Sequence, residues 1–187
     1  MFIQTEQTPN PATLKFLPGR EVLGAGTADF PNPEAAAASP LAQRLFAIQG
    51  VTGIFLGADF ITVSKADDRE WHLLKPAILG VVMEHFTAGR PVLTAPAATA
   101  EEAAVAAEDQ EVVAQIKELL DTRVRPAVAQ DGGDIVFQGY EKGVVFLHMQ
   151  GACAGCPSST ATLKMGIENM LRHYIPEVVE VRAAAAY

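Results

Sequence analysis

Several things are scarce in this sequence, and each shortage excludes a class of protein. Its 187 residues hold two cysteines, far too few to staple a secreted fold with disulfides. No run of about 18 apolar residues occurs, so no helix is expected to span a bilayer and no membrane partner is expected. The start, "MFIQTEQTPNP", has neither the basic segment and apolar stretch of a secretory signal nor the Arg-rich character of a transit peptide. A cytosolic protein is the expectation, with a processed organellar form as the alternative. Basic residues are scarce too. The net charge is −8, and neither half of the chain is basic, which argues against a nucleic-acid partner presenting phosphates. Apolar residues, by contrast, are plentiful. At 49% hydrophobic and 19% charged, the chain can bury a core, and its length suits one medium domain or two small ones.

Composition shifts sharply over residues 89–107, "GRPVLTAPAATAEEAAVAA", where Ala, Pro and Thr dominate. Such a stretch buries too little to fold alone and reads as an Ala/Pro-rich linker. Thr99 followed by Glu102 resembles a capping box, so its second half is expected to start a helix. Residues 1–88 and 108–187 are then two small α+β domains.

In the first, "FIQTEQ" and "ATLKFLP" read as strands around the turn "TPNP", a rigid turn by its two prolines. Ser39-Pro40 is a helix cap followed by a proline at the first helical position. "GVTGIFLG" and "DFITVSK" are β-branched strands joined through Gly57-Ala58-Asp59. Trp71, Leu74, Ile78, Val81, Val82 and His85 then recur at helical spacing, as a core-facing stripe.

In the second, Val112, Val113, Ile116, Leu119, Leu120 and Val124 form one helical stripe, ended by Pro126. Arg123 and Arg125 are expected at that helix C-terminus, where cations complement the dipole. Asp131 and Asp134 flank Gly132-Gly133. Two carboxylates are too few for a hard-metal site, and the group reads as a turn that starts a strand. "IVFQGY" and "VVFLHMQ" follow as strands joined around Glu141-Lys142-Gly143. Leu163, Ile167, Met170, Leu171 and Tyr174 mark a helix capped by Ser158 or Ser159, and "EVVEVRA" is a last strand. The order is α-β-β-loop-α-β.

The loop of that order is "GACAGCPSS", residues 151–159, and it holds both cysteines, Cys153 and Cys156. Two cysteines scattered at random would fall three apart roughly once in a hundred. In a reducing compartment, such a pair means metal, cluster or redox chemistry. The glycines let the backbone turn tightly. The helix start beyond Pro157 offers N–H donors and a positive dipole end, which favours thiolate and an anionic ligand. From Val144 to Thr162 there is no Asp, Glu, Lys or Arg, a surround that suits a thiolate-bound cluster. Neither cysteine is expected to be needed for the core.

Three chemistries compete for this loop. A thioredoxin-like redox pair uses the same spacing, but it follows a βαβ unit rather than a hairpin. Structural zinc wants four ligands; His148 is a candidate third, although a lone strand histidine is more often packed or on the surface. An iron–sulfur cluster usually takes four cysteines, so one chain cannot complete it. Two copies about a two-fold axis would supply two plus two. A shared, accessible cluster suits delivery better than permanent electron transfer. The bridging cluster is the leading reading, with a thiol–disulfide oxidoreductase as the alternative.

With these residues in view, the chain resembles the Nfu (NifU C-terminal-like) family of iron–sulfur cluster carriers. The resemblance runs through "IKELLDTRVRPAVAQDGGDIVFQGYEKGVVFLHMQGACAGCPSSTATLKMGIENML", from Ile116 to Leu171. "TPNPATLKFLPG", "SPLAQRLFAIQGVTGIFLGADFITVSK" and "WHLLKPAILGVVMEHFTAG" are similar to the Nfu N-terminal domain. The resemblance implies a [4Fe–4S] cluster held between two protomers by Cys153 and Cys156 and passed to apo iron–sulfur client proteins. It also implies upstream cluster donors, a homodimer when loaded, and no catalytic residue. The N-terminal domain, without cysteines, is expected to make client or partner contacts. The missing presequence favours a bacterial cytoplasm; a mature form in the mitochondrial matrix would read alike.

Overall fold

The structure is a computed structural model that describes residues 2–94, 106–154 and 157–184, leaving aside the side chains of 157–159. The chain divides into two compact units, Met1–Ala98 and Thr99–Tyr187. Each is mixed α and β, as expected.

The first unit begins with β1 (Gln4–Gln7), β2 (Thr13–Leu17) and β3 (Ala28–Phe30). It continues through α1 (Pro40–Phe46), β4 (Val51–Leu56), β5 (Ile61–Lys65) and α2 (Trp71–Thr87). The strands form one sheet in the order β1-β2-β5-β4-β3, with every neighbouring pair antiparallel. Strand β3 is a three-residue edge that the sequence reading did not include.

Its core joins Phe16, Ile54, Leu56, Ile61 and Val63 of the sheet to Leu41 and Leu45 of α1 and to Leu74, Ile78 and Val82 of α2. The expected Ser39-Pro40 start holds. The Ser39 hydroxyl accepts from the Ala42 N–H at 3.1 Å, satisfying one of the unpaired donors of the first turn. The same hydroxyl donates to the Val92 carbonyl at 2.7 Å, and the Thr94 N–H reaches the Ala38 carbonyl at 2.8 Å. Val92 and Leu93 pack on the first core. Residues 92–94, placed within the expected linker, therefore run against the first unit. Thr99 and Glu102 lie outside the described residues.

The second unit contains α3 (Gln110–Leu119), a wide π turn over Leu120–Val124 and α4 (Arg125–Gln130). After these come β6 (Gly133–Glu141), β7 (Val144–Gly151), α5 (Pro157–Tyr174) and β8 (Glu180–Ala183). The sheet order is β6-β7-β8, antiparallel between β6 and β7 and parallel between β7 and β8. Lys142 and Gly143, at φ of 48° and 84°, make the two-residue hairpin turn in which both residues are left-handed.

Pro126 does not end the first helix of this unit. The Arg125 N–H bonds the Leu120 carbonyl five residues back. The widened turn opens the space that the proline ring would otherwise take from the preceding turn. Pro126 then sits in the first turn of α4, where its missing N–H has no helical partner to lose. Arg123 and Arg125 are consequently mid-run rather than at a helix C-terminus, which corrects the dipole reading. Arg123 lies over the Tyr174 ring at 5.1 Å. The helical stripe still builds the core: Val113, Ile116, Leu120, Val124 and Val128 pack on Ile135, Phe137, Val145 and Leu147, with Ile167 and Leu171 of α5.

Candidate functional site

The cysteine loop leaves the end of β7 and enters α5. Gly151, the last residue of β7, takes φ of 65°, a turn that a side chain resists. Just past it, the Ala152 N–H donates to the Gly132 carbonyl at 3.2 Å and the Ala154 N–H to the Gly151 carbonyl at 3.1 Å. The Thr160 hydroxyl, in the first turn of α5, donates to the Cys153 carbonyl at 3.0 Å.

Cys153 is 7% exposed and belongs to the second core beside residues such as Met149 and Ile167. The expectation that it is dispensable for the core is therefore corrected. Gly133, the first residue of β6, lies against it. A β-carbon there would stand 2.7 Å from the Cys153 Sγ and 2.7 Å from the Gln150 carbonyl. Only a residue with no side chain fits.

Burial pushes the Cys153 thiol up to about 12, and the charges of Asp131 and Asp134 push the same way. Two expectations change here. The loop's position ahead of a helix does not make this thiol a ready thiolate, because desolvation outweighs a dipole worth about 1 kcal/mol. The acid-free run from Val144 to Thr162 also does not give acid-free surroundings. Asp131, from the turn before β6, and Asp134, near the start of β6, reach the site from a segment remote in sequence and adjacent in the sheet.

Asp134 is 3% exposed and is held by a guanidinium fork. Arg125 Nε lies 2.9 Å from Asp134 Oδ1 and Arg125 Nη2 lies 2.8 Å from Oδ2. Arg125 Nη1 also reaches Asp121 at 3.1 Å, and the Ile135 N–H donates to Asp134 Oδ1 at 2.8 Å. The Asp134 hydrogen bonds raise the Arg125 pKa above its ordinary value. The buried carboxylate is tolerated because the partly exposed guanidinium meets it with two parallel bonds. Asp131 belongs to the turn and Asp134 to the strand start, as expected. The sequence reading missed the Arg125–Asp134 pair, whose only trace was an arginine nine residues before an aspartate.

His148 does not join Cys153. On β7 the residues 145, 147 and 149 face the core, and alternation puts His148 on the other side of the strand. Among the described residues no group of three or more His, Cys, Asp and Glu side chains is placed to hold a metal. Cys156 lies outside the described residues, as do the side chains of Ser158 and Ser159.

The loop follows the antiparallel β6–β7 hairpin, as the sequence order had it, and the βαβ unit of β7, α5 and the parallel β8 contains the loop rather than preceding it. Burial also speaks against a redox pair. An attacking thiol must be accessible and mostly deprotonated, and Cys153 is neither.

Comparison with known proteins identifies both halves of the chain. Residues 3–89 match the family model for the scaffold protein Nfu/NifU N terminal, and residues 116–182 match the NifU-like domain. A Drosophila sechellia protein named "NFU1 iron-sulfur cluster scaffold homolog, mitochondrial" is 58% identical over 97% of this chain and 64% of its own length. An Arabidopsis thaliana protein named "NifU-like protein 4, mitochondrial" is 55% identical over 95% of this chain and 64% of its own. The chain thus spans about 64% of the length of these relatives. Both are named as mitochondrial, which overturns the expectation of a bacterial cytoplasm; that expectation stood only on signals the start of the chain lacks. With two matched domains in the same order and relatives more than half identical along nearly the whole chain, this chain belongs to the Nfu family.

Proposed function

We propose that this chain is an iron–sulfur cluster scaffold that holds a [4Fe–4S] cluster between two copies of itself and hands it to apo-proteins. The observation that carries this reading is a NifU-like domain whose chain contains two cysteines and no more. Iron–sulfur clusters take thiolate ligands, normally four. Cys153 and Cys156 would supply half of that set, and a second copy the other half. The cluster is cargo in this reading, and the chain performs no catalytic step on it.

The described residues are compatible with such cargo. The buried carboxylate nearest in the strand, Asp134, is already paired with Arg125 and does not compete for iron. Iron binding replaces the thiol proton, so the high proton affinity of Cys153 is overcome by metal rather than by a neighbouring base. In the thiol–disulfide alternative, an attack by Cys153 would need its thiolate, and its burial opposes that.

The test is anaerobic reconstitution with iron and sulfide. About four irons and four sulfides per two chains are expected, with release to an apo-protein acceptor. Reduction of a disulfide substrate by a monomer, with no iron uptake, would support the alternative instead.

A further inference from the structure

A cluster shared between two chains takes its ligands at a surface both can reach. Cys153, at 7% exposed, is instead packed inside one unit's core. We propose that Gly133 and Thr160 are positioning residues that stow Cys153 in the cluster-free protein, and that loading a cluster requires the thiol to leave this seat. The proposal rests on the scaffold reading above and adds the step that controls access to its site.

The seat has two parts. Gly133 provides the space. Its absent β-carbon would lie 2.7 Å from the Cys153 Sγ, so the sulfur occupies room that any other residue would fill. Gly133 is not among the residues with a positive φ, so its lack of a side chain, rather than an unusual backbone, is what the position uses. Thr160 provides the latch, through the 3.0 Å bond from its hydroxyl to the Cys153 carbonyl. The 3.2 Å bond from the Ala152 N–H to the Gly132 carbonyl ties the same loop to the strand start. A loop at the end of a strand can open without unfolding the sheet. While closed, it shields a soft, oxidisable thiol from solvent and from other thiols.

The test uses the full chain with Cys156→Ser, so that Cys153 is the one thiol left, and follows iodoacetamide labelling without oxygen. Cys153 should react at least about 100-fold more slowly in the folded chain than in urea, because only the open loop is accessible. Thr160→Val keeps the shape and removes the latch; it should speed labelling about fivefold, the worth of one hydrogen bond. Gly133→Ala should speed it further, provided circular dichroism shows a folded chain. Thr160→Val with both cysteines present should also shorten the half-time of cluster reconstitution. Labelling of folded Cys153 within about twofold of the urea rate overturns the proposal, as does a Thr160→Val rate equal to that of its parent. The labelling arms need no iron. A chain that shows the protection but never takes up iron would sink the scaffold reading and the loading step, and leave the seat itself established.

Discussion

The Cys153 thiol lies between Gly133 and the second core, and its pKa is pushed up to about 12 by burial and by Asp131 and Asp134. An ordinary thiol titrates near 8.5 and its alkylation rate levels off above that. In a Cys156→Ser chain, the alkylation rate of Cys153 should go on rising through about pH 9 to 11. A plateau near pH 9 would show that the thiol is solvated after all.

His85 behaves differently. It is fully buried, with Nε2 3.1 Å from the Pro91 carbonyl. Burial lowers its pKa below 6.5, against the opposing pull of the Pro91 bond, and Arg44 and Arg90 add to the lowering. The unfolded chain takes up a proton near 6.5 while the folded chain resists it. The contribution to stability is therefore complete above about pH 6.5 and is lost as the pH falls from there through the folded pKa. Thermal unfolding of the first unit should show a falling Tm between about pH 7 and 5.5, with a shallower slope in His85→Leu. Equal slopes in the two proteins would contradict this assignment.

At the scale of single elements, the start of α1 and the hairpins were legible, because their signals are local; α5 begins at Pro157, so Ser158 and Ser159 lie within the helix rather than capping it. Ser39-Pro40 needs nothing beyond four neighbouring residues, and its cap is found as expected. Ser39→Ala should destabilise the first unit by about 1–2 kcal/mol, because it removes both the cap and the bond to Val92. Fluorescence of Trp71, the single tryptophan, reports on that unit alone during urea unfolding.

Two elements were not legible. Strand β3, at three residues, is too short for alternation to show. The π turn before Pro126 depends on a backbone register that composition does not encode, so a proline rule that holds for an ordinary helix misplaced the helix end. The Arg125–Asp134 pair follows from that register, since the widened turn aims Arg125 at the start of β6. Arg125→Met would leave a buried carboxylate without its counter-ion. A cost of about 2 kcal/mol is expected, below the range for fully buried pairs because the guanidinium is partly exposed. Arg125→Lys should recover only part of it, since an ammonium cannot make the fork. Far-UV circular dichroism of the second unit's melting measures both, and a Met variant as stable as its parent would remove the pair from the account.

For the whole molecule, two cores read from two hydrophobic patterns correspond to two compact units. Each unit has local stripes and alternations strong enough to be seen without a structure. The candidate site was legible as chemistry, because a paired spacing of rare residues points to metal or redox use. Its environment was not. Residues 131–134 and 151–154 are distant along the chain, and only the pairing of Gly133 with Gly151 across the hairpin brings Asp134 and Gly133 to Cys153.

The account therefore stands or falls on stoichiometry. Iron and sulfide content, measured together with the mass of the anaerobically reconstituted protein, should give about four of each per two chains, in a dimer that Cys153→Ser and Cys156→Ser both abolish. A cluster held by a monomer, or no iron uptake by a folded chain whose two thiols remain reduced, would contradict it.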